Sequence, residues 1–358
     1  KSKTICKVLY RVQNSLWTWV CKKSKKLIER FYPANDKVLN FKFVQNEEDF
    51  IVEEQAIKFS GAGSFLVLKV EKSNCDTWEL IDRLAKFLNI YSNEIGYAGL
   101  KDKRATTIQY MTIPKKYSKE IKLFKNKKIT ILDTFLHNAK LNIGDLEGNR
   151  FKINLHKVEI ADVNHIQKII KLISRDGMPN YFGYQRFGKD VVDNLAKAKD
   201  VVYGEELVKD KKLSKMLVAA YQSSFFNAWL VERLKLSKDY FDLIDGDIFL
   251  DLEKDKIFTP KAITANILND FKNSKITPTG LLPGRKVFKA MGKARQIEEK
   301  YDDLYVQEKG YRREAIVFPR EISCKYDAAN KVCTLDFILP KGSYATVLVE
   351  FLANRNFS

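Results

Sequence analysis

The chain has 358 residues, a net charge of +18 and 45% hydrophobic residues, with 16 glycines and 8 prolines. That is enough apolar material for two ordinary cores, and it excludes a low-complexity polymer. The positive excess points to a polyanion, nucleic acid ahead of an anionic membrane surface. Five scattered cysteines without a C-x-x-C, and three histidines without ligand spacing, argue against a disulfide framework and a zinc site. Reduced thiols in a cytoplasmic protein are expected. There is no Walker A loop and no G-x-G-x-x-G after a strand, so no nucleotide cofactor is expected either. No apolar run reaches 18 residues, which disfavours a membrane span. The chain begins at Lys1 and not Met, and is expected to lack its native start.

Taken in order, residues 1–40 form a basic N-terminal extension. Through Val44 there are eleven Lys/Arg against Glu29 and Asp36, with Tyr10, Trp17 and Trp19 interleaved. Such a segment suits nucleic acid, or is simply a solvated arm. Phe41 to Glu54 alternates, and Phe65 to Val70 reads as a buried strand. Asp76 and Glu79 predict a capping box. The helix behind it carries Trp78, Ile81, Leu84, Ala85 and Leu88 as core positions. Next comes Gly96-Tyr97-Ala98-Gly99-Leu100-Lys101-Asp102-Lys103-Arg104-Ala105-Thr106-Thr107-Ile108-Gln109, a loop opening into a strand at Ile108–Ile113. Two glycines let the backbone approach a ligand closely. A single carboxylate, Asp102, sits among Lys101, Lys103 and Arg104. By spacing alone this is an ordinary ion-paired loop sooner than a reactive one.

Residues 115–128 hold seven lysines and one glutamate and read as a solvated connection. Gly148-Asn149-Arg150-Phe151 stands at the mouth of a strand from Phe151 to Val158, and a helix is predicted from 162 to 174. Asn180-Tyr181-Phe182-Gly183-Tyr184-Gln185-Arg186-Phe187-Gly188 suits either RNA contact or packing at a domain junction. From 190 to 310 the pattern is mostly helical, clearest at Ser214–Leu236. Ile276-Thr277-Pro278-Thr279-Gly280-Leu281-Leu282-Pro283-Gly284 reads as a structured loop. A hairpin at 321–326 and 331–339 and a helix at 344–354 close the chain. A β-rich start and end around a helical middle predict one α+β domain interrupted by an insertion.

Six stretches in order resemble the TruD family of pseudouridine synthases: Glu48-Asp49-Phe50-x-Val52-x-Glu54; Gly96 to Gln109; Gly148 to Phe151; Asn180 to Gly188; Tyr221-Gln222-Ser223-x-Phe225-Phe226-Asn227; and Leu339-Pro340-x-Gly342-Ser343-Tyr344-Ala345-Thr346. The resemblance covers Phe41 to Leu352. It implies the α+β pseudouridine synthase catalytic fold with a bent antiparallel sheet, at 41–179 and 314–358. A mainly helical α+β TRUD insertion domain would occupy 180–313. It further implies conversion of uridine to pseudouridine in RNA, at position 13 of tRNA in bacterial members, with no cofactor and no metal. The uridine would be flipped out into a basic cleft between the two domains. By position, Asp102 matches the catalytic aspartate, and Phe50, Asn149 and Phe151 match substrate-binding residues. Lys101, Lys103, Arg104 and Arg186 become candidates for RNA contact. The family often has a basic residue six positions before the pocket phenylalanine; here that place is Val44, and Lys42 lies two residues earlier. A monomer is the default expectation. A non-catalytic RNA-binding protein and an RNA methyltransferase are the alternative classes; the first is disfavoured by the intact Asp102, Asn149 and Phe151, the second by the missing glycine-rich cofactor loop.

Overall fold

The structure, a computed structural model, describes residues 30–188 and 190–357. The basic segment up to residue 29 lies outside them. By internal contacts the chain divides into two compact units. One comprises 39–174 with 319–345; the other comprises 175–318 with 30–38 and 346–357.

The first unit is built on a nine-stranded sheet. Its strands are β1 (Lys42–Phe43), β2 (Phe50–Ala56), β3 (Phe65–Ser73), β4 (Gly96–Tyr97), β5 (Thr106–Pro114), β6 (Ile129–His137), β7 (Leu146–His156), β8 (Arg320–Asp327) and β9 (Val332–Pro340). The order is β8-β9-β7-β2-β5-β3-β6, with β1 beside β7 and β4 beside β5. All pairs are antiparallel except β2 and β5, which run parallel. The exception arises because the chain leaves β3, crosses through a helix and returns between β2 and β3.

That helix, α1 (Thr77–Leu88), starts at Asp76, whose side chain accepts from the Glu79 amide, and stops at Asn89 in a left-handed conformation. The capping box is only half formed, because the Glu79 carboxylate pairs with Arg83 at 2.7 Å. Leu80, Ile81, Leu84 and Leu88 of α1 pack on Leu66, Leu68 and Val70 of β3 and on Met111 and Ile113 of β5. Trp78 does not join this core, contrary to expectation. It is 52% exposed and sets its ring against the edge of Tyr97 at the rim.

The strand expected at Phe151 begins five residues earlier, at Leu146. Gly148 therefore lies inside β7, opposite Gln55 of β2 and Pro340 of β9. A Cβ there would sit 2.3 Å from the Leu339 carbonyl, so glycine is what allows the strands to close at this point. A second helix, α2 (Ile160–Asp176), follows β7 and buries Ile166, Ile169, Ile170 and Ile173. All seven lysines of 115–128 are exposed, while Ile121 inserts into the core beneath α1.

The second unit contains a four-stranded antiparallel sheet ordered Lys256–Phe258, Ile248–Asp251, Ile276–Leu282, Tyr311–Glu314. Its long helix, Lys211–Leu236, is capped by Asp210 and lies over Ile276–Leu282. The stretch expected as a structured loop is thus a fully buried strand. Thr277 and Thr279 satisfy their hydroxyls on the carbonyls of Ile316 and Ile248. Gly280 leaves room for Trp229 and Phe226, which a Cβ would meet at 2.2 and 2.9 Å. The turn-forming residues misled because a strand in this position is selected by packing and not by propensity. In the same unit Arg30 and Tyr32 both engage Glu350 of the helix Ala345–Ala353. Among the described residues no helix is long and apolar enough to cross a membrane.

Candidate active site

Strand register sets the floor of the site. Lys72, Thr107, Val52, Phe151 and Phe337 are successive partners across β3, β5, β2, β7 and β9, so their side chains share one face of the sheet. Glu54 and Asn149 are partners in β2 and β7 one step along the same face. Four aromatic rings run side by side there. Phe43 lies 6.1 Å from Phe50, Phe50 lies 6.0 Å from Phe151, and Phe151 stacks on Phe337 at 5.5 Å.

The loop 98–105 is fastened to this face by buried polar groups. Thr77 Oγ1 accepts the Lys101 amide at 2.9 Å and donates to Gln109 Oε1 at 3.1 Å. Lys101 Nζ reaches Glu54 Oε1 at 2.6 Å, and the other oxygen of Glu54 accepts the Tyr110 amide at 2.8 Å. Gly99 keeps this approach uncrowded, since a Cβ would lie 2.9 Å from Lys101 Nζ and 3.1 Å from Glu54 Oε1. Lys72 Nζ donates to the main-chain carbonyl of Asp102 at 3.3 Å and to that of Cys75.

The result is a contrast between neighbours. The Lys101 side chain is 8% exposed and its charge is consumed by Glu54. Asp102, one residue on, is exposed, and its carboxylate has no hydrogen-bond or ion-pair partner among the described residues. Lys103 is half exposed and lies 3.6 Å from Glu79, while Arg104 is exposed without a partner among the described residues. Three buried polar atoms on the sheet face below also lack partners: Thr107 Oγ1, Gln109 Nε2 and Asn149 Oδ1. Buried polar atoms normally find a partner. Thr107 and Gln109 alternate along β5 and Asn149 stands two strands away in β7, so all three lie on the sheet face to which the loop is fastened.

Asp102, Phe50, Asn149 and Phe151, read from the sequence as site residues, thus all belong to this unit, three on one sheet face and Asp102 on the loop fastened above it. Lys101 is a correction to its reading as an RNA contact: its ammonium turns inward onto a buried carboxylate. Arg186 belongs to the second unit, where its guanidinium bonds Ser223 Oγ and the Ala219 carbonyl and lies over the Phe182 ring. There Tyr181, Phe182 and Phe187 are buried, and Asn227 bonds the Phe182 main chain through both its amide nitrogen and its oxygen. Lys42 lies in β1, exposed, opposite His156. Sequence reasoning missed Lys72 and Thr77, and held Glu54 and Gln109 only as members of motifs, without a place in the site. The available signal was a charge in a buried register: Leu66, Leu68, Val70, Lys72 on one strand, and Phe50, Val52, Glu54 on another. Among the described residues no three His, Cys, Asp or Glu side chains converge as a metal site would require.

The comparisons with known proteins agree on one family. The family model described as tRNA pseudouridine synthase D (TruD) matches residues 29–205 and 189–351. The curated tRNA pseudouridine synthase D of Nitratiruptor sp. is 39% identical, over 92% of this chain and 99% of that protein. Those of Wolinella succinogenes and Campylobacter jejuni are 39% and 32% identical over the same share of this chain. A solved structure from Methanosarcina mazei assigned to TruD superposes with a TM-score of 0.73 at 24% identity, covering 92% of this chain and 98% of that one. At that identity the likeness establishes the fold.

Proposed function

Because the chain belongs to the TruD family of tRNA pseudouridine synthases, we propose that it isomerises uridine to pseudouridine in tRNA, at position 13, and that Asp102 starts the reaction. The isomerisation breaks the N1–C1′ bond and forms a C5–C1′ bond. C5 loses its proton and N1 gains one, so the product has the atoms and electrons of the substrate. An ionised carboxylate is sufficient to begin. It adds to C1′ or C6 as a nucleophile, or removes the ribose proton next to C1′ as a base.

The observation that carries this reading is the exposed Asp102 carboxylate, without a partner among the described residues, on a loop held by Thr77, Glu54 and Lys72. A target uridine must leave its stack to reach such a site. Phe151, backed by Phe337 and flanked by Phe50, offers the base an aromatic surface. Asn149, partly exposed on the same sheet face, supplies an amide for the ribose or the base. Lys103 and Arg104, both exposed beside Asp102, contact phosphates on either side of the uridine. A tRNA substrate puts the enzyme in the cytoplasm.

The test is release of tritium from tRNA carrying [5-³H]uridine. Asp102→Asn keeps the size of the side chain and removes its charge. It is expected to slow release by at least about a thousandfold, the scale of losing a sole nucleophile or base. Release at the wild-type rate would overturn the assignment.

A further inference from the structure

We propose that Lys72 is a positioning residue of this active site: its buried ammonium grips the main chain of Asp102 from below and fixes where the carboxylate projects. The inference rests on the reading of Asp102 given above and deepens it.

Lys72 occupies the fourth place in a buried stripe, after Leu66, Leu68 and Val70, and is fully buried. Burial pushes its pKa down, against the pull of Cys75, Asp76 and Asp102. Among the described residues no carboxylate lies within ion-pair distance of it. A buried ammonium without a counter-ion is costly, and an apolar side chain would continue the stripe. What lysine adds is a set of donors, and they go to two places: the Cys75 carbonyl, at the entry to α1, and the Asp102 carbonyl, in the loop.

The neighbouring contacts explain why that second bond matters. Thr77 holds the Lys101 amide and Glu54 holds the Lys101 ammonium. These two fix the approach to Asp102, and Lys72 fixes the peptide that leaves it. The main chain is therefore held on both sides of the Asp102 Cα, while the carboxylate itself remains unbound. Displacing a reacting group by about 1 Å costs on the order of a hundredfold in rate.

A purely structural lysine and a positioning lysine differ in what a folded variant can do. Lys72→Met is one atom shorter, keeps the unbranched apolar stem and removes the donors. In single-turnover experiments with enzyme in saturating excess over [5-³H]uridine tRNA, the rate constant does not depend on the fraction of enzyme that is folded. Lys72→Met is expected to lower that constant by about 10- to 100-fold, with tRNA affinity in filter binding unchanged within about twofold because Lys72 lies under the loop and does not face RNA. Lys72→Gln, which keeps a shorter neutral donor, is expected to fall between. If Lys72→Met does not fold, Lys72→Gln carries the same test. A wild-type rate constant in the folded variant, with only the melting temperature lowered, overturns the proposal. Asp102→Asn is run alongside. If it releases tritium normally, the reading of Asp102 itself has failed; if it is silent while Lys72→Met is unimpaired, only the positioning role is lost.

Discussion

Lys101 and Asp102 are adjacent in the chain and opposite in environment, one sealed against Glu54 and the other exposed. Three cations around one carboxylate look equivalent in sequence, but the fold assigns them separate tasks. Lys101 neutralises a carboxylate that is 1% exposed. Removing it leaves Glu54 charged and alone in the interior, so Lys101→Met is expected to cost about 3–5 kcal/mol of stability, measured by urea unfolding. A loss below about 0.5 kcal/mol, the size of a surface ion pair, would contradict the buried pairing. No local pattern separates Lys101 from Lys103, because the deciding fact is a glutamate 47 residues earlier in the chain.

At the scale of elements, the site depends on β7 being held between β2 and β9. Gly148 permits that closure, and Gly148→Ala is expected to destabilise by about 1–3 kcal/mol through overpacking against the Leu339 carbonyl; an unchanged denaturation midpoint would refute the close approach. The turn before β2 is tied to β7 by Asp49, which bonds His156 at 2.7 Å, Asn154 at 3.2 Å and Asn46 at 2.9 Å. Burial alone would raise the Asp49 pKa, but these hydrogen bonds outweigh it and hold the carboxyl below its usual value. The folded-state pKa is then lower than the unfolded one. The stabilisation is complete above the unfolded value of about 3.9 and is lost as pH falls through the folded value. Melting temperatures recorded from about pH 6 down to pH 2.5 should therefore decline less steeply in Asp49→Asn than in the wild type in that acid window. Parallel decline would remove Asp49 from the acid response.

For the whole molecule, the charge of +18 makes binding to tRNA a salt-dependent event. The logarithm of affinity is expected to fall linearly with the logarithm of salt concentration, each phosphate contact adding about −0.7 to −0.9 to the slope. Lys103→Ala and Arg104→Ala should each lower the slope by about one contact. Lys101→Met, whose charge is already spent on Glu54, should leave it unchanged in the folded fraction. Equal slopes for all variants would show that the loop cations do not touch the backbone.

The sequence alone was sufficient for what depends on local order and residue chemistry. The motifs around Asp102, Asn149 and Phe151, the alternation of β2, the apolar run of β3, the cap at Asp76 and the closing hairpin were all legible, since each is written within a few residues. So was the family, which the comparisons then established. Three things were decided by tertiary structure alone. Ile276–Leu282 became a strand because segments distant in sequence, Ile248–Asp251 and Tyr311–Glu314, pair with it on its two sides. Trp78 stayed at the rim because the buried arc of α1 is set by where the sheet lies. The carboxylate that is free, the lysine that is consumed and the lysine that supports from below were distinguished only when strands distant in sequence came into register, since burial and partnership belong to positions in space.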